Sequence, residues 1–391
     1  MCDPVCAQAF GHNVVALKYF GKAFAGSFDE VVLLCARSLD KAVAQANGFT
    51  PFFDFYYRRF MPLRGLPDTP PEAGVEAPAS GDRLEAVATR DARRLLDGYK
   101  VTAADTILFP SVDFYGALGL LNALAERPAE TRPFLFFRFI GVMETATHPW
   151  RDPLSELLAR LRQAHADGVR MSFSAETPKL ADAMAVRLDA PVAATSYPSI
   201  LDQLPMPADQ AFTVYCPGSA RHDKGFMELL DIFRPVRMAD PELKVRFCSQ
   251  VLTDRDAAPL QNYISQLYAL PGVELLAPMI SEAEMLRRYR QCSAVLMPYA
   301  TDIYELRGSA VMMEAAFFGR PCITLAGTAF AEQVAFYGLG LVVDTVGDIP
   351  RAILQLAATP RLTLESRAAQ ARHRLIADTV GSYEAWLRER R

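Results

Sequence analysis

Nowhere in this chain does an uninterrupted apolar run reach the ~18 residues that a membrane-spanning helix needs, so no transmembrane segment is expected. The opening Met1-Cys2-Asp3-Pro4 lacks the positive region and apolar core of a secretion signal, and a cytoplasmic location is the expectation. Long basic stretches are missing too, and the formal net charge is −4, which argues against a nucleic-acid partner. Short clusters such as Tyr57-Arg58-Arg59 read as solvated surface; they leave open a peripheral contact with anionic lipid at the inner face of the membrane. The 7 cysteines form no Cys-x-x-Cys pair and no Cys/His spacing of the kind that holds zinc. Cys35, Cys248, Cys292 and Cys322 lie in or beside apolar, strand-like runs and read as buried reduced thiols. No Gly-x-Gly-x-x-Gly follows a strand, which disfavours a dehydrogenase, and the glycine loop at 215–226 lacks the Walker spacing.

What is present is the profile of a globular protein, 51% hydrophobic and 22% charged over 391 residues. That length suggests two domains of ~150–200 residues. Strand-like and helix-like segments alternate, so the expected class is α/β with parallel sheets. The first half carries a helical pattern through Val14, Leu17, Phe20 and Phe24, strands at 31–35, 106–109, 134–139 and 169–173, and helices near 117–125, 153–166 and 177–188. Met1 to Phe10 makes a poor opening strand for such a sheet. The stretch 68–81, rich in Pro, Ala and Gly, reads as a surface loop. Three prolines between Ser196 and Pro207 place the hinge there, with one domain at 1–200 and a second at 208–377. Strands of the second half are expected at 212–216, 245–248, 273–276, 294–297, 322–325 and 341–343, a helix at 282–291, and a largely helical end from 353.

The stretch Arg307 to Pro321 is the most informative. It reads as a helix opened by Gly308-Ser309 and closed by Gly319-Arg320-Pro321, apolar on every face except for Glu314. A helix hydrophobic all round is buried, and a lone carboxylate in it needs hydrogen-bond donors. The free N–H groups of its first turn form an anion site, with Arg307 beside them. Together these ask for a ligand with phosphates at one end and hydroxyls at the other; a plain N-cap with a core lysine for Glu314 is the alternative. A second constellation, Tyr215-Cys216-Pro217-Gly218-Ser219-Ala220-Arg221-His222-Asp223-Lys224-Gly225-Phe226, joins a strand to a helix. Gly218-Ser219 lets backbone approach an anion, and Arg221 and Lys224 add a fork donor and a point charge. Both loops follow strands and leave the same edge of one sheet, where open α/β sheets bind ligands.

These paired motifs, in this order, resemble the donor half of retaining GT-B glycosyltransferases, in particular the family-4-like group described as "glycosyl transferases group 1". The resemblance runs over roughly 212–344 and is weaker in the first half, where it rests on Gly11-His12 before a helix and on the α/β alternation. It implies two Rossmann-like domains with parallel sheets facing across a cleft, and a C-terminal helix near 378–391 that packs back on the first domain. It implies transfer of a sugar from a UDP- or GDP-linked donor to a saccharide, lipid-linked or protein acceptor, with retention, without metal and with no permanently bound cofactor. Arg221 and Lys224 then match the pair that holds the donor diphosphate, with Gly218 and Ser219 in the same loop. Ser309 and Ala310 match the amides that cradle the phosphates, Glu314 the acid that accepts from the ribose, and Gly11 and His12 the acceptor-side loop.

The match departs from the family in two places. The family's first acid would fall on Leu306, so Glu305, one place out of register, is the candidate facing the donor sugar. Ser219 stands where an arginine is usual, and Arg221 is the substitute. Tyr304 to Ala310 fits a variant Tyr-x-x-Arg-x-Ser-Gly branch, which adds Tyr304, Arg307 and Gly308 to the donor side. His148 in a loop and Arg138 inside an apolar strand are secondary acceptor-side candidates; Arg138 needs a partner or an exposed strand end. An epimerase-like activity, a phosphorylase, and a binder without turnover remain as alternatives.

Overall fold

The computed structural model describes residues 1–7, 12–54, 81–141, 153–197, 202–207, 211–218, 220–252 and 258–390. The 68–80 stretch and the Tyr57-Arg58-Arg59 cluster lie outside them. Contacts divide the chain into two units, Met1–Pro198 together with Gly381–Arg391, and Ser199–Val380.

In the first unit, β1 (Cys2–Asp3), β2 (Leu34–Ala36) and β3 (Thr50–Phe53) pair in parallel in that order. A second parallel set runs β4 (Thr106–Phe109), β5 (Phe134–Phe139), β6 (Met171–Ala175), β7 (Val192–Ala194). Since β1 lies beside β4, the strands read 3-2-1-4-5-6-7 across the unit. Parallel neighbours require crossover connections, which here are helices. Those described are α1 (His12–Phe24), α2 (Lys41–Asn47), α3 (Gly81–Gly98), α4 (Phe114–Ala125), α5 (Pro153–Ala166) and α6 (Pro178–Leu188). β5 is Phe-Leu-Phe-Phe-Arg-Phe and buried at every position, the mark of a strand covered on both faces. Asp113 caps α4, its side chain accepting from the Gly116 amide at 2.7 Å.

The opening strand is only two residues long, β2 begins three residues later than the pattern suggests, and β6 is displaced to 171–175. The apolar run at 31–35 continues into the strand's approach, where the Met1 ammonium donates to the Val32 carbonyl. Pro51 sits in β3, an edge strand, where its missing N–H costs no ladder bond on the outer side.

In the second unit the strands are β8 (Phe212–Cys216), β9 (Val245–Gln250), β10 (Val273–Leu276), β11 (Ala294–Met297), β12 (Cys322–Leu325) and β13 (Gly340–Val343). They form one parallel sheet in the order β10-β9-β8-β11-β12-β13. Counted within the unit that is 3-2-1-4-5-6, so the direction of winding reverses between β8 and β11. The helices are α7 (Leu229–Ala239), α8 (Ala258–Ala269), α9 (Glu282–Gln291), the short α10 (Thr301–Tyr304), α11 (Ala310–Phe318), α12 (Ala329–Tyr337) and α13 (Ile349–Ala358). Phe233 stacks on Phe247 with ring centres 3.9 Å apart, in a core that also takes Val214, Leu296 and Ile353.

The last helix, α14 (Arg361–Arg388), begins in the second unit, and from Gly381 its residues belong to the first. Tyr383 and Trp386 lie in the same cluster as Phe20, Phe24, Phe134 and Phe136. The Trp386 and Phe136 rings meet edge to face at 4.9 Å, and the Tyr383 hydroxyl donates to the Ser196 carbonyl.

Candidate functional site

The site is built at the reversal point of the second unit. β8 and β11 are direct neighbours, with Val214 opposite Ala294 and Tyr215 opposite Val295. The chain leaving the carboxyl end of each therefore emerges beside the other, the position at which open α/β sheets bind ligands.

After β8 the chain turns at Gly218 (φ +85°), passes Ala220 and Arg221, makes one 3-10 turn over His222–Lys224 and turns again at Gly225 (φ +73°) before α7. Gly225 is required twice over. Its φ is left-handed, and a Cβ there would lie 2.0 Å from the Pro298 carbonyl oxygen of the other loop. The Ala300 amide donates to the Asp223 carbonyl at 3.0 Å, a second tie between the loops. Cys216, Gly218, Arg221, Lys224, Pro298 and Tyr299 line a hollow at this junction.

After β11 the chain runs through Pro298-Tyr299 and α10 to Ser309, which caps α11. The Ser309 hydroxyl accepts from the Met312 amide at 3.2 Å. The amides of Ala310 and Val311 belong to the first turn, which the helical ladder leaves without partners. α11 closes at Gly319 (φ +74°). Val311 to Phe318 are buried apart from Glu314, which is half-buried.

Lys224 and Glu314 face one another's field. Burial lowers the Lys224 ammonium to about 8, with Arg221 adding to the fall and Glu314 and Asp223 opposing it. Burial lifts the Glu314 carboxyl to about 7, opposed by a hydrogen bond from the Tyr289 hydroxyl (3.1 Å) and by the Lys224 charge. A Cβ on Gly218 would stand 2.9 Å from Lys224 Nζ and 3.7 Å from Val311 Cγ2, so the glycine lets the amine lie between its loop and the start of α11. Arg221 Nη2 donates to Asp223 Oδ2 and to the Tyr304 hydroxyl, each at 2.7 Å. Arg307 lies over the Tyr304 ring, 5.1 Å from its centre. The arrangement presents cations and helix amides at one end and a carboxylate at the other. It can hold a diphosphate and bind hydroxyls nearby.

The structure thus brings Gly218, Arg221, Lys224, Tyr304, Arg307, Gly308, Ser309, Ala310 and Glu314 to one edge. Ser219 lies outside the described residues. Glu305 is exposed at the end of α10. Of the acceptor-side candidates, Gly11 and His148 lie outside the described residues, and His12 opens α1. The neighbouring Asn13 donates to Asp3 at 3.2 Å, and burial lifts the Asp3 and Asp113 carboxyls to about 7 each.

Arg138 has the partner that a charge in an apolar strand requires. It is wholly buried in β5 and not at an exposed strand end. Its Nε and Nη2 donate to the Thr195 carbonyl (3.2 and 3.0 Å) and its Nη1 to the Pro110 carbonyl (3.2 Å), so it braces three segments of the first unit. Nor does Glu314 pair with a core lysine as its donor; its hydrogen bond comes from Tyr289 on α9.

Asp223, Gly225 and Tyr299 also stand at this edge and sequence reasoning passes over them, although the first two lie inside the 215–226 motif. Tyr289 carries no local signal, since its contact is made between helices. Among the described residues no group of three or more His, Cys, Asp or Glu side chains is placed to hold a metal ion. A larger open hollow of about 610 Å³ lies among Val101–Ala104 and Arg127–Thr131, at the amino ends of β4 and β5, where no comparable set of charges converges.

No family model and no curated protein sequence matches this chain. Solved structures do match in fold. Sucrose-phosphate synthase from Thermosynechococcus elongatus superposes with a TM-score of 0.57 at 14% identity, over 98% of this chain and 95% of that one. A UDP-forming α,α-trehalose-phosphate synthase from Burkholderia xenovorans gives 0.55 at 11% identity, over 78% of each chain. The Escherichia coli trehalose-6-phosphate structure bound with UDP-2-fluoroglucose gives 0.57 at 12%, over 79% and 77%. The chain therefore has the α/β fold of GT-B glycosyltransferases, with two Rossmann-like units of parallel strands. Among the described residues no helix is long and apolar enough to cross a membrane.

Proposed function

We propose that this protein is a glycosyltransferase of the family-4-like branch that moves a sugar, with retention and without a metal, from a nucleotide diphosphate to an acceptor hydroxyl. The observation that carries the reading is the convergence of Arg221, Lys224, Arg307 and the α11 amides on one edge, with Glu314 half-buried beyond them. Breaking a sugar–diphosphate bond builds negative charge on the leaving oxygen. Fixed cations and a helix N-terminus stabilise that charge as it grows. Gly218, Arg221 and Lys224 hold the diphosphate from the β8 side, and Arg307, Gly308, Ser309 and Ala310 from the β11 side. Glu314 accepts from the ribose hydroxyls, with Tyr289 occupying one of its oxygens.

Retention follows a front-face route. The bond from C1 to the phosphate oxygen breaks, the acceptor oxygen bonds to C1 from the same side, and its proton passes to the leaving phosphate. This needs no carboxylate pair of the glycosidase kind. The fold likeness to a protein solved with UDP-2-fluoroglucose supports testing UDP-linked donors first. The acceptor is a saccharide, free or linked to lipid or protein, and the protein works in the cytoplasm. The test is titration with UDP- and GDP-sugars, followed by product analysis with candidate acceptors. Tight binding with product supports the proposal, and no binding of any sugar nucleotide removes it. A binder without turnover is the second reading, favoured by Leu306 at the position where the family carries an acid. Binding without product would select it.

A further inference from the structure

Two buried tyrosines join the site's loops. Tyr299, 3% exposed, follows β11; Tyr304, 5% exposed, ends α10. Their rings lie 4.7 Å apart and both meet the edge of Phe330, at 5.6 and 6.0 Å. Each carries a cation. Lys224 Nζ stands 5.7 Å from the Tyr299 centre, and Arg307 Cζ 5.1 Å from that of Tyr304. The Tyr304 hydroxyl accepts from Arg221 at 2.7 Å and donates to Asp223 at 3.2 Å, and Asp223 also accepts from Arg221 at 2.7 Å.

Three long cationic side chains gathered at one edge repel one another and each has many rotamers. Left alone they spread into solvent, and a ligand must then order them. Rings fixed by packing hold a cation over their face without neutralising it, and a hydroxyl holds a guanidinium at one angle. We infer that Tyr299 and Tyr304 form a positioning platform that spaces Arg221, Lys224 and Arg307 for a diphosphate before it arrives, with Asp223 trimming the charge. Tyr304 serves cations from both loops, Arg221 from the first and Arg307 from the second. Tyr304 is on this view a positioning residue. The inference rests on the proposed donor site.

The test uses the full chain and titrates UDP, inorganic pyrophosphate and uridine against wild type, Tyr304→Phe and Tyr304→Leu. The phenylalanine keeps the ring under Arg307 and removes the hydroxyl that holds Arg221. Expected is a fall of about tenfold in UDP and pyrophosphate affinity for Tyr304→Phe and about a hundredfold for Tyr304→Leu, with uridine changed less than twofold. A purely structural brace would shift the melting temperature and weaken all three ligands alike. Equal losses for uridine and UDP, or no loss for Tyr304→Phe, overturn the platform while leaving the donor site standing. A wild-type protein that binds neither UDP nor pyrophosphate removes the donor site and the platform with it. If Tyr304→Leu does not fold, Tyr304→Phe decides alone.

Discussion

Arg138 and Glu314 are both charges set in apolar elements, β5 in one unit and α11 in the other. Their surroundings differ in who answers them. Arg138 donates to the Pro110 and Thr195 carbonyls and has no exposure. Arg320 is of the same kind, 1% exposed and donating to the carbonyls of Tyr289, Leu204 and Pro205. Glu314 receives one hydrogen bond, keeps partial exposure, and is lifted to about 7 by its surroundings. A buried charge answered by the protein's own backbone is a brace. Glu314, half-buried and acting on a lysine that burial lowers to about 8, has no such backbone partner among the described residues.

That contrast is sharpest in stability. Arg138→Ala leaves the Pro110 and Thr195 carbonyls without their donor and opens a void, so chemical denaturation should show a loss of ~3–5 kcal/mol. A loss under 1 kcal/mol would erase the distinction. Lys224→Ala should act on the ligand instead. UDP affinity measured by calorimetry should fall about a hundredfold, ~2.7 kcal/mol, while the denaturation midpoint holds or rises.

Glu314→Gln separates the two kinds of charge by sign. An acid whose folded value lies above its unfolded one costs stability when ionised. The penalty is full above pH 7 and vanishes as pH falls below the unfolded value of 4.5. At pH 8 the variant should therefore be more stable by ~1–3 kcal/mol, a range reduced for the residue's partial exposure, and at pH 4 no more stable than wild type. A destabilised variant at pH 8 would class Glu314 with the braces. The smallest effect is in pH dependence. A phosphate binds the charged Lys224, so UDP affinity should decline several-fold between pH 7.5 and 9, and that limb should be absent from Lys224→Ala.

The second unit was the more legible because its strands are mostly apolar runs with sharp ends: 212–216, 273–276, 294–297 and 322–325 fall where the pattern puts them. In the first unit β1 has two residues, too short to show any period, and Pro51 disguises β3. α2, seven residues long, announces itself only through its caps, Asp40 and Gly48. At the site, the lone acid and the glycine turns are written locally and can be read. What the sequence does not carry is pairing between elements: the Tyr289 hydroxyl on Glu314, or the carbonyls that claim Arg138. An arginine in an apolar strand looks the same whether it serves a substrate or the strand's neighbours.

The end of α14 has a temporal consequence. The second unit's chain is finished by Val380, whereas the first unit's aromatic cluster needs Tyr383 and Trp386. On the ribosome, the unit at 1–198 must wait for Tyr383 and Trp386, which are made after the whole of the second unit, with the face of Phe136 uncovered meanwhile. The second unit can close its own core during that delay.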